Sequence, residues 1–153
     1  MNDFLMHGQM QALTDMEIRM MNPLKLAYLG DAIYEAYIRL YIVSMHTLTP
    51  HEMAKKAISY VKASAQSNLI KGIKPLLTED EWTIVKRGRN QKSATVPKNA
   101  LLSDYKYATG FEALIGYLYL IGDKARVYEL IHQGIAFIDS GEKPIYDKGD
   151  DEV

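Results

Sequence analysis

Apolar residues recur at helical spacing along most of the chain, and the pattern is clear over residues 22–43. Apolar and small side chains there lie three and four positions apart, as a helix that faces a protein core requires. Asn22 can cap this helix, and Pro23 suits its first turn. Because no segment alternates apolar and polar residues between hairpin turns, the pattern predicts an all-α protein.

Start and stop signals predict further helices along the chain. The segments 14–17 and 78–81 have the spacing of capping boxes, and Thr49 followed by Pro50 opens another helix. With Gly and Pro as breaks, we expect the main helices over residues 22–43, 49–60, 62–71, 78–87, 103–120 and 125–137. No repeat or linker divides the chain, so we expect a single domain over residues 1–138 and an acidic, disordered tail over residues 139–153.

Two of the predicted helices carry one acid each within an apolar pattern. Asp31 lies one heptad after Leu24, and Glu112 lies within the apolar face of its own helix. Because an unpaired carboxylate is costly to bury, each acid calls for a metal ion, a cationic side chain or backbone donors. In the alternative interpretation each acid reaches solvent or pairs with a basic residue, for which Lys25 and Arg39 are candidates.

Glycines accompany both acids. Gly30 precedes Asp31, and Gly110 and Gly116 flank Glu112. A glycine allows a backbone or a ligand to approach closely. If the two helices pack side by side, the carboxylates meet and can hold a hard cation such as Mg²⁺, for which two carboxylates suffice because the ion keeps several waters.

Composition narrows the class of protein. The 153 residues suffice for one domain with a core, and the absence of cysteine excludes disulfides and thiolate metal sites. The sequence shows no apolar run near the roughly 20 residues that a membrane span needs, and no signal-peptide pattern. We therefore expect a cytoplasmic protein with no membrane association.

The net charge of −1 is unevenly distributed. Residues 139–153 carry a net charge of −4, whereas residues 82–106 hold six basic residues and one acid, a net charge of +5. We expect the polar part of this positive segment, over residues 88–100, to be a loop that offers a flexible cationic surface for phosphate groups. A solvated loop without a binding role is the alternative.

Two motifs resemble those of a known family. The sequence YLGDAIYEAYI at 28–38 resembles the signature helix of the ribonuclease III family, and GFEALIGYLYL at 110–120 resembles its second motif. The stretch RGRNQKS at 87–93 is similar to the mini-ribonuclease III branch, which has a catalytic domain only and no double-stranded RNA-binding domain. The resemblance covers about residues 22–137.

The resemblance implies an all-α helical bundle like the ribonuclease III endonuclease domain, acting as a homodimer. It implies cleavage of double-stranded RNA that depends on Mg²⁺, with Mn²⁺ as a substitute. The implied role is the maturation of the 23S (large-subunit) ribosomal RNA precursor, with a ribosomal protein presenting the RNA.

The resemblance also assigns roles to residues by motif position. Asp31 and Glu112 match the acids that act in catalysis and bind the metal. Tyr28 matches an aromatic position at the dimer interface, and Leu29 is beside it. The RNA contacts expected from the positive segment are Arg87, Arg89, Asn90, Lys92, Ser93 and Lys98.

Two acids that are usual in the family are replaced in this chain. Ala27 occupies the position before the aromatic residue, and Thr109 occupies the position three residues before Glu112. The replacements favour one metal ion per site over a fully caged pair. They also leave open a fold that has lost catalysis and only docks on structured RNA. A helical interaction protein without an RNA role is a third interpretation, against which the positive segment argues.

Overall fold

The structure is a computed structural model that describes residues 13–45, 47–92 and 101–145. These residues form seven α-helices and one short 3₁₀ helix, without a β-strand among them, which confirms the predicted all-α class. The helices are α1 (Asp15–Arg19), α2 (Pro23–Met45), α3 (Pro50–Val61), α4 (Ala63–Ile73) with the 3₁₀ helix Lys74–Leu76 after it, α5 (Glu79–Arg89), α6 (Leu102–Leu120) and α7 (Lys124–Ser140).

The predicted helix starts are confirmed where a side chain caps the helix. Thr14 and Thr78 each belong to a complete capping box. The Thr49 hydroxyl accepts a hydrogen bond from the N–H of Glu52, the third residue of α3, and the Asn22 side chain accepts one from the Leu24 N–H at 2.8 Å. Local sequence therefore determines where these helices begin.

The predicted loop after α5 is partly wrong, because α5 continues through Gly88 to Arg89. Gly88 does not end the helix. A glycine is needed at this position because a Cβ would press on the Cα atom of Gly110 in α6. The start of α6 also differs from the prediction. The helix begins at Leu102, one residue before the predicted start, and has no side-chain cap.

The last helix continues to Ser140, three residues beyond the predicted end. Asp139, which the sequence assigned to the tail, accepts hydrogen bonds from the hydroxyls of Tyr41 at 3.0 Å and Tyr60 at 2.6 Å. These bonds connect α7 to α2 and α3. Most of the predicted tail, residues 146–153, lies outside the described residues.

Helix α6 lies at the centre of the fold and contacts α2, α4, α5 and α7. Nearly all its side chains from Tyr107 to Tyr119 are buried, as in a helix enclosed by neighbours on all sides. On α2, the Tyr34 ring meets the Phe111 ring edge-on at 5.0 Å, and its hydroxyl donates to the Tyr60 carbonyl. Apolar as α6 is, no helix in the described ranges has both the length and the hydropathy that membrane crossing demands.

Helices α2 and α6 approach so closely that their crossing has no room for a side chain. A Cβ on Gly30 would overlap the carbonyl oxygen of Glu112, and a Cβ on Gly116 would overlap that of Leu26. Both obstacles are backbone atoms, so no flexible group could move aside. The crossing therefore sets the distance between the helices that carry Asp31 and Glu112.

An ion pair connects the start of α5 to the start of α7. Arg126 donates from Nε and Nη2 to the two carboxylate oxygens of Glu81, both at 2.8 Å, and Nη2 also donates to the Leu76 carbonyl. Burial acts to raise the pKa of Glu81, but hydrogen bonds from Arg126 and from the Thr78 backbone outweigh it and hold that pKa below its usual value. This pair stabilises the end of the bundle away from Arg89.

We predict that Gly116→Ala destabilises the protein by about 2–4 kcal/mol, because the added methyl group meets the α2 backbone. In a helix without such a neighbour the same change would stabilise by about 1 kcal/mol through helix propensity. Urea unfolding measures the sign. Ala36→Gly, at an exposed position of α2, is the control and should cost only about 1 kcal/mol. A stabilised Gly116→Ala protein would contradict the close crossing.

Candidate active site

Asp31 and Glu112 come together where α2 crosses α6. Their side chains are hydrogen-bonded to each other. Asp31 is exposed and Glu112 is half-buried, so the pair lies at the surface with Glu112 on its inner side. Gly30, the residue before Asp31, faces α6, and the exposed Asp31 lies at the edge of that packed face of α2.

The carboxyl of Glu112 has a strongly perturbed pKa. Burial, followed by the hydrogen bond and the charge of Asp31, raises this pKa from 4.5 to about 9, against a lowering by a hydrogen bond from Gln66. Two carboxylates in contact do not both ionise without a compensating positive charge. At neutral pH a proton shared by the two carboxyl groups prevents this repulsion. A bound cation would replace that proton.

The basic residues considered as partners for Asp31 lie elsewhere. Arg39 donates to Glu35 at 3.1 Å, one helical turn away on the same helix. Lys25 is exposed near the start of α2. The ion pair with Glu35 argues against the predicted pairing of Asp31 with Arg39, whereas the exposure of Asp31 agrees with the alternative in which that acid reaches solvent.

The residues around the pair fit a hydrated divalent cation. Two carboxylates supply hard oxygen ligands, and Mg²⁺ is commonly bound by one or two carboxylates plus waters. Ala27 is buried, and the Thr109 hydroxyl donates to the Tyr105 carbonyl at 3.0 Å, so neither adds a ligand. In the part of the chain that the structure describes, no group of three His, Cys, Asp or Glu side chains could hold a metal. The donor set therefore suits one ion that keeps several waters.

Gln66 on α4 lies beneath the pair and is not among the site residues predicted from the sequence. Its side chain is buried and hydrogen-bonds Glu112, and its Nε2 donates to the Val61 carbonyl at 2.7 Å. The available signal was a polar residue directly after Ala65 on the inward face of α4. That signal indicates a buried amide without showing what the amide contacts.

Arg87 and Arg89 lie on the last turn of α5 and not on a flexible loop. The Arg87 guanidinium donates to the carbonyls of Arg19 at 2.9 Å and Met21 at 3.3 Å, and so connects α5 to the segment between α1 and α2. Arg89 is only 4% exposed, which corrects the expectation that it belongs to an open cationic surface. Its Nε donates to the Asn90 side chain at 3.0 Å.

A cavity of about 310 Å³ opens between the end of α5 and the start of α6. Its floor is the Tyr107 ring, with the Arg89 guanidinium 5.5 Å from the ring centre and the Lys71 ammonium 4.3 Å from it. The lining residues are Arg89, Asn90, Leu102, Ser103, Lys106 and Tyr107. Lys106 and Ser103 were not among the expected RNA contacts, although both fall in or beside the positive segment.

The remaining expected RNA contacts are only partly described. Lys92 and Asn90 are exposed at the end of α5. Ser93 and Lys98 lie outside the described residues. The structure therefore places cationic and polar side chains at the end of α5 and at the start of α6.

The residues expected at the dimer interface lie on the outer side of α2. Tyr28 is 86% exposed, and Leu29 is partly buried. Leu24 lies one turn before Tyr28 and is also exposed, as are Met16 and Met20 close by in sequence. A large exposed aromatic residue in an apolar setting is typical of a surface that another protein covers.

A comparison with known families places this arrangement in a class. The ribonuclease III domain family matches residues 24–123, a range that includes both acids and the helices that carry them. The chain belongs to the ribonuclease III family.

The resemblance to the mini-ribonuclease III branch is confirmed by individual relatives. Mini-ribonuclease 3 of Clostridium tetani is 48% identical over 122 residues, which cover 79% of this chain and 81% of the relative. Mini-ribonuclease 3 of Enterococcus faecalis is 48% identical over 118 residues, 76% of this chain and 89% of the relative. The fold matches a crystal structure of a protein from Fusobacterium nucleatum with a TM-score of 0.71 and 35% identity, over 78% of this chain and 96% of that one.

We predict that Glu112→Gln stabilises the metal-free protein at neutral and alkaline pH. The folded-state pKa of Glu112 is above its ordinary value, so the native state binds a proton that the unfolded state releases. The stability that the protonated carboxyl provides is complete below about pH 4.5, and it is lost as the pH rises to about 9. One pKa unit corresponds to about 1.4 kcal/mol, or roughly 3–6 °C in Tm for a domain of this size.

Thermal unfolding in chelator at pH 5, 7 and 9 tests this prediction. The difference in Tm between Glu112→Gln and wild type should grow with pH. Glu142→Gln, which changes an exposed acid just after α7, is the control and should show no such growth. A difference that stays constant with pH would mean that Glu112 ionises normally.

Proposed function

We propose that this endoribonuclease cleaves double-stranded RNA with Mg²⁺, or Mn²⁺ in its place, held by Asp31 and Glu112. The observation that carries the proposal is the contact between these two carboxylates, which a proton or a cation must compensate. Bound there, the ion would supply Lewis-acid chemistry for phosphodiester hydrolysis, activating water and stabilising charge on the leaving oxygen.

Asp31 and Glu112 have different roles in the proposed site. Asp31, which is exposed, faces the side from which a substrate arrives. Glu112, half-buried and hydrogen-bonded to Gln66, is the more rigidly held carboxylate. Their proton must leave before a cation binds, so cation affinity rises with pH toward about 9. No side chain of the chain is required as the nucleophile.

The cationic residues at the end of α5 are the proposed contacts to the RNA backbone. Arg89 lines the cavity, where Tyr107 and Asn90 hold its guanidinium in place, so only a phosphate that enters the cavity would contact it. Lys92 and Lys106 add charge on either side of the cavity. A-form RNA is recognised mainly through its shape, phosphates and 2′-hydroxyls, so sequence preference should be modest. Arg87, Ser93 and Lys98 remain proposed contacts.

A homodimer is part of the proposal. Tyr28 and Leu29 lie on an exposed apolar side of α2, on the helix that also carries Asp31. A two-fold interface on this side would place two carboxylate pairs on one assembly. Two sites suit a duplex substrate, because each site can cut one strand.

The proposed biological substrate is the precursor of 23S ribosomal RNA, presented by a ribosomal protein. Support comes from the likeness to mini-ribonucleases 3 over most of the chain. With that substrate the enzyme would act in the cytoplasm.

A second candidate is a module that binds structured RNA without cutting it. The neutral residues Ala27 and Thr109, neither of which offers a ligand, favour this function. The retained pair of Asp31 and Glu112 argues against it, because a docking surface gains nothing from two repelling acids.

We expect purified protein to cleave a long RNA duplex in Mg²⁺ and not in chelator. Asp31→Asn should lower the cleavage rate by at least about 100-fold, because removing a metal ligand should reduce activity more than removing a residue that only orients a ligand. Duplex binding in chelator should be retained. Glu35→Gln, one turn further along α2, is the matched control and should cleave normally. Duplex binding without cleavage by the wild type would favour the docking module.

We further predict that Lys106→Ala weakens duplex binding and reduces the slope of log K against log salt by about 1, since one phosphate contact is removed. Binding in chelator at several salt concentrations measures the slope. Lys143→Ala changes an exposed lysine beyond the far end of α7 and should leave the slope unchanged. Equal slopes for wild type and Lys106→Ala would show that Lys106, and with it the cavity, does not contact the RNA backbone.

A further inference from the structure

The amide of Gln66 is held in one orientation by its own hydrogen bonds. The side chain is 3% exposed, and Nε2 donates to the Val61 carbonyl at 2.7 Å. The same amide hydrogen-bonds the Glu112 carboxylate. A carbonyl and a carboxylate both accept, so only the NH₂ end of the amide can serve them, and its two N–H groups match two acceptors.

The other end of this amide is left without a donor. Gln66 Oε1 is a buried atom that has no hydrogen-bond partner among the described residues. A buried acceptor in this condition costs about 1–3 kcal/mol. Because Oε1 and Nε2 are bonded to the same carbon, the oxygen is only two bonds from the nitrogen that contacts the Glu112 carboxylate. Asp31 and Glu112 are themselves acceptors when ionised, and no group among the described residues donates to Oε1.

We infer that Gln66 is the third protein group of the cation site, a positioning residue whose N–H holds Glu112 and whose orphaned Oε1 accepts a hydrogen bond from the waters that Mg²⁺ retains. The inference rests on the proposed function. It explains how a site with only two acids gains a further oxygen of fixed position. The amide adds that oxygen without adding negative charge to a pair that already repels.

A neighbouring residue supplies a matched control. Ser67 is fully buried on the same helix, and its Oγ likewise has no hydrogen-bond partner among the described residues. Ser67 is one residue further along α4, so its side chain points about 100° away around the helix axis. No hydrogen bond connects it to Glu112 among those described, so its removal should leave the cation site intact.

The first experiment measures Mg²⁺ and Mn²⁺ binding to the full chain by calorimetry, together with Tm in chelator. Gln66→Met keeps the size of the side chain and removes both polar ends. We expect cation affinity to fall about 10–100-fold, as for other residues that orient metal ligands. The Mg²⁺ concentration for half-maximal cleavage should rise by a similar factor, with little change in KM for RNA. Ser67→Ala should bind the cations like wild type.

Gln66→Glu provides the second variant and does not depend on the first one folding well. A third carboxylate that faces the cation should lower Tm in chelator and enlarge the rise in Tm on adding Mg²⁺. A carboxylate that faces away would lower Tm equally with and without Mg²⁺, which would overturn the inference. Unchanged cation affinity in a folded Gln66→Met protein would overturn it as well.

The outcomes separate the inference from the proposed function. If wild type binds and uses Mg²⁺ while Gln66→Met does so equally well, only the role of Gln66 fails. If wild type binds neither cation, the proposed function fails and the inference fails with it. If Ser67→Ala weakens cation binding as much as Gln66→Met does, the effect belongs to the packing of α4 and the assigned role is wrong.

Discussion

The contact between the backbones of α2 and α6 is the constraint on which the rest of the structure depends. Helices usually lie about 8–10 Å apart because side chains separate them. Gly30 and Gly116 remove those side chains at the crossing. The close approach brings Asp31 and Glu112 within hydrogen-bond reach, although 81 positions separate them in the chain. Gly88 and Gly110 produce a second close crossing, which holds α5 and its cationic last turn against α6.

The site places two carboxyl groups in contact without a cationic side chain to compensate them. Two other acids have such a partner, Glu81 in Arg126 and Glu35 in Arg39. At the crossing, by contrast, burial and the nearby Asp31 raise the pKa of Glu112, and a buried amide beside it has an unused oxygen. Perturbed ionisable groups and unpaired buried polar atoms that are confined to one place are typical of a functional site, where a ligand supplies the missing charge and hydrogen bonds.

In the positive segment, helix formation determines whether the basic side chains are flexible or held in place. As a loop, its arginines would be flexible and solvated. In α5, Arg87 is bound to backbone carbonyls and Arg89 packs against Tyr107. The charge of Arg89 is therefore held near the start of α6, and that of Arg87 near the end of α1. The helix could extend this far only because Gly88 faces Gly110, which no local signal reveals.

The sequence by itself determined the helical class, the capped helix starts at Thr14, Thr49 and Thr78, and the choice of Asp31 and Glu112 as the unusual acids. These follow from local hydrogen bonds and from periodicity, which depend on residues a few positions apart. Only the tertiary structure decided the rest, namely the exposure of Asp31, the burial of Arg89 and the contact of Gln66 with Glu112. The physical reason is that burial and pairing depend on which helices cross and how closely, and glycines distant in sequence set those distances.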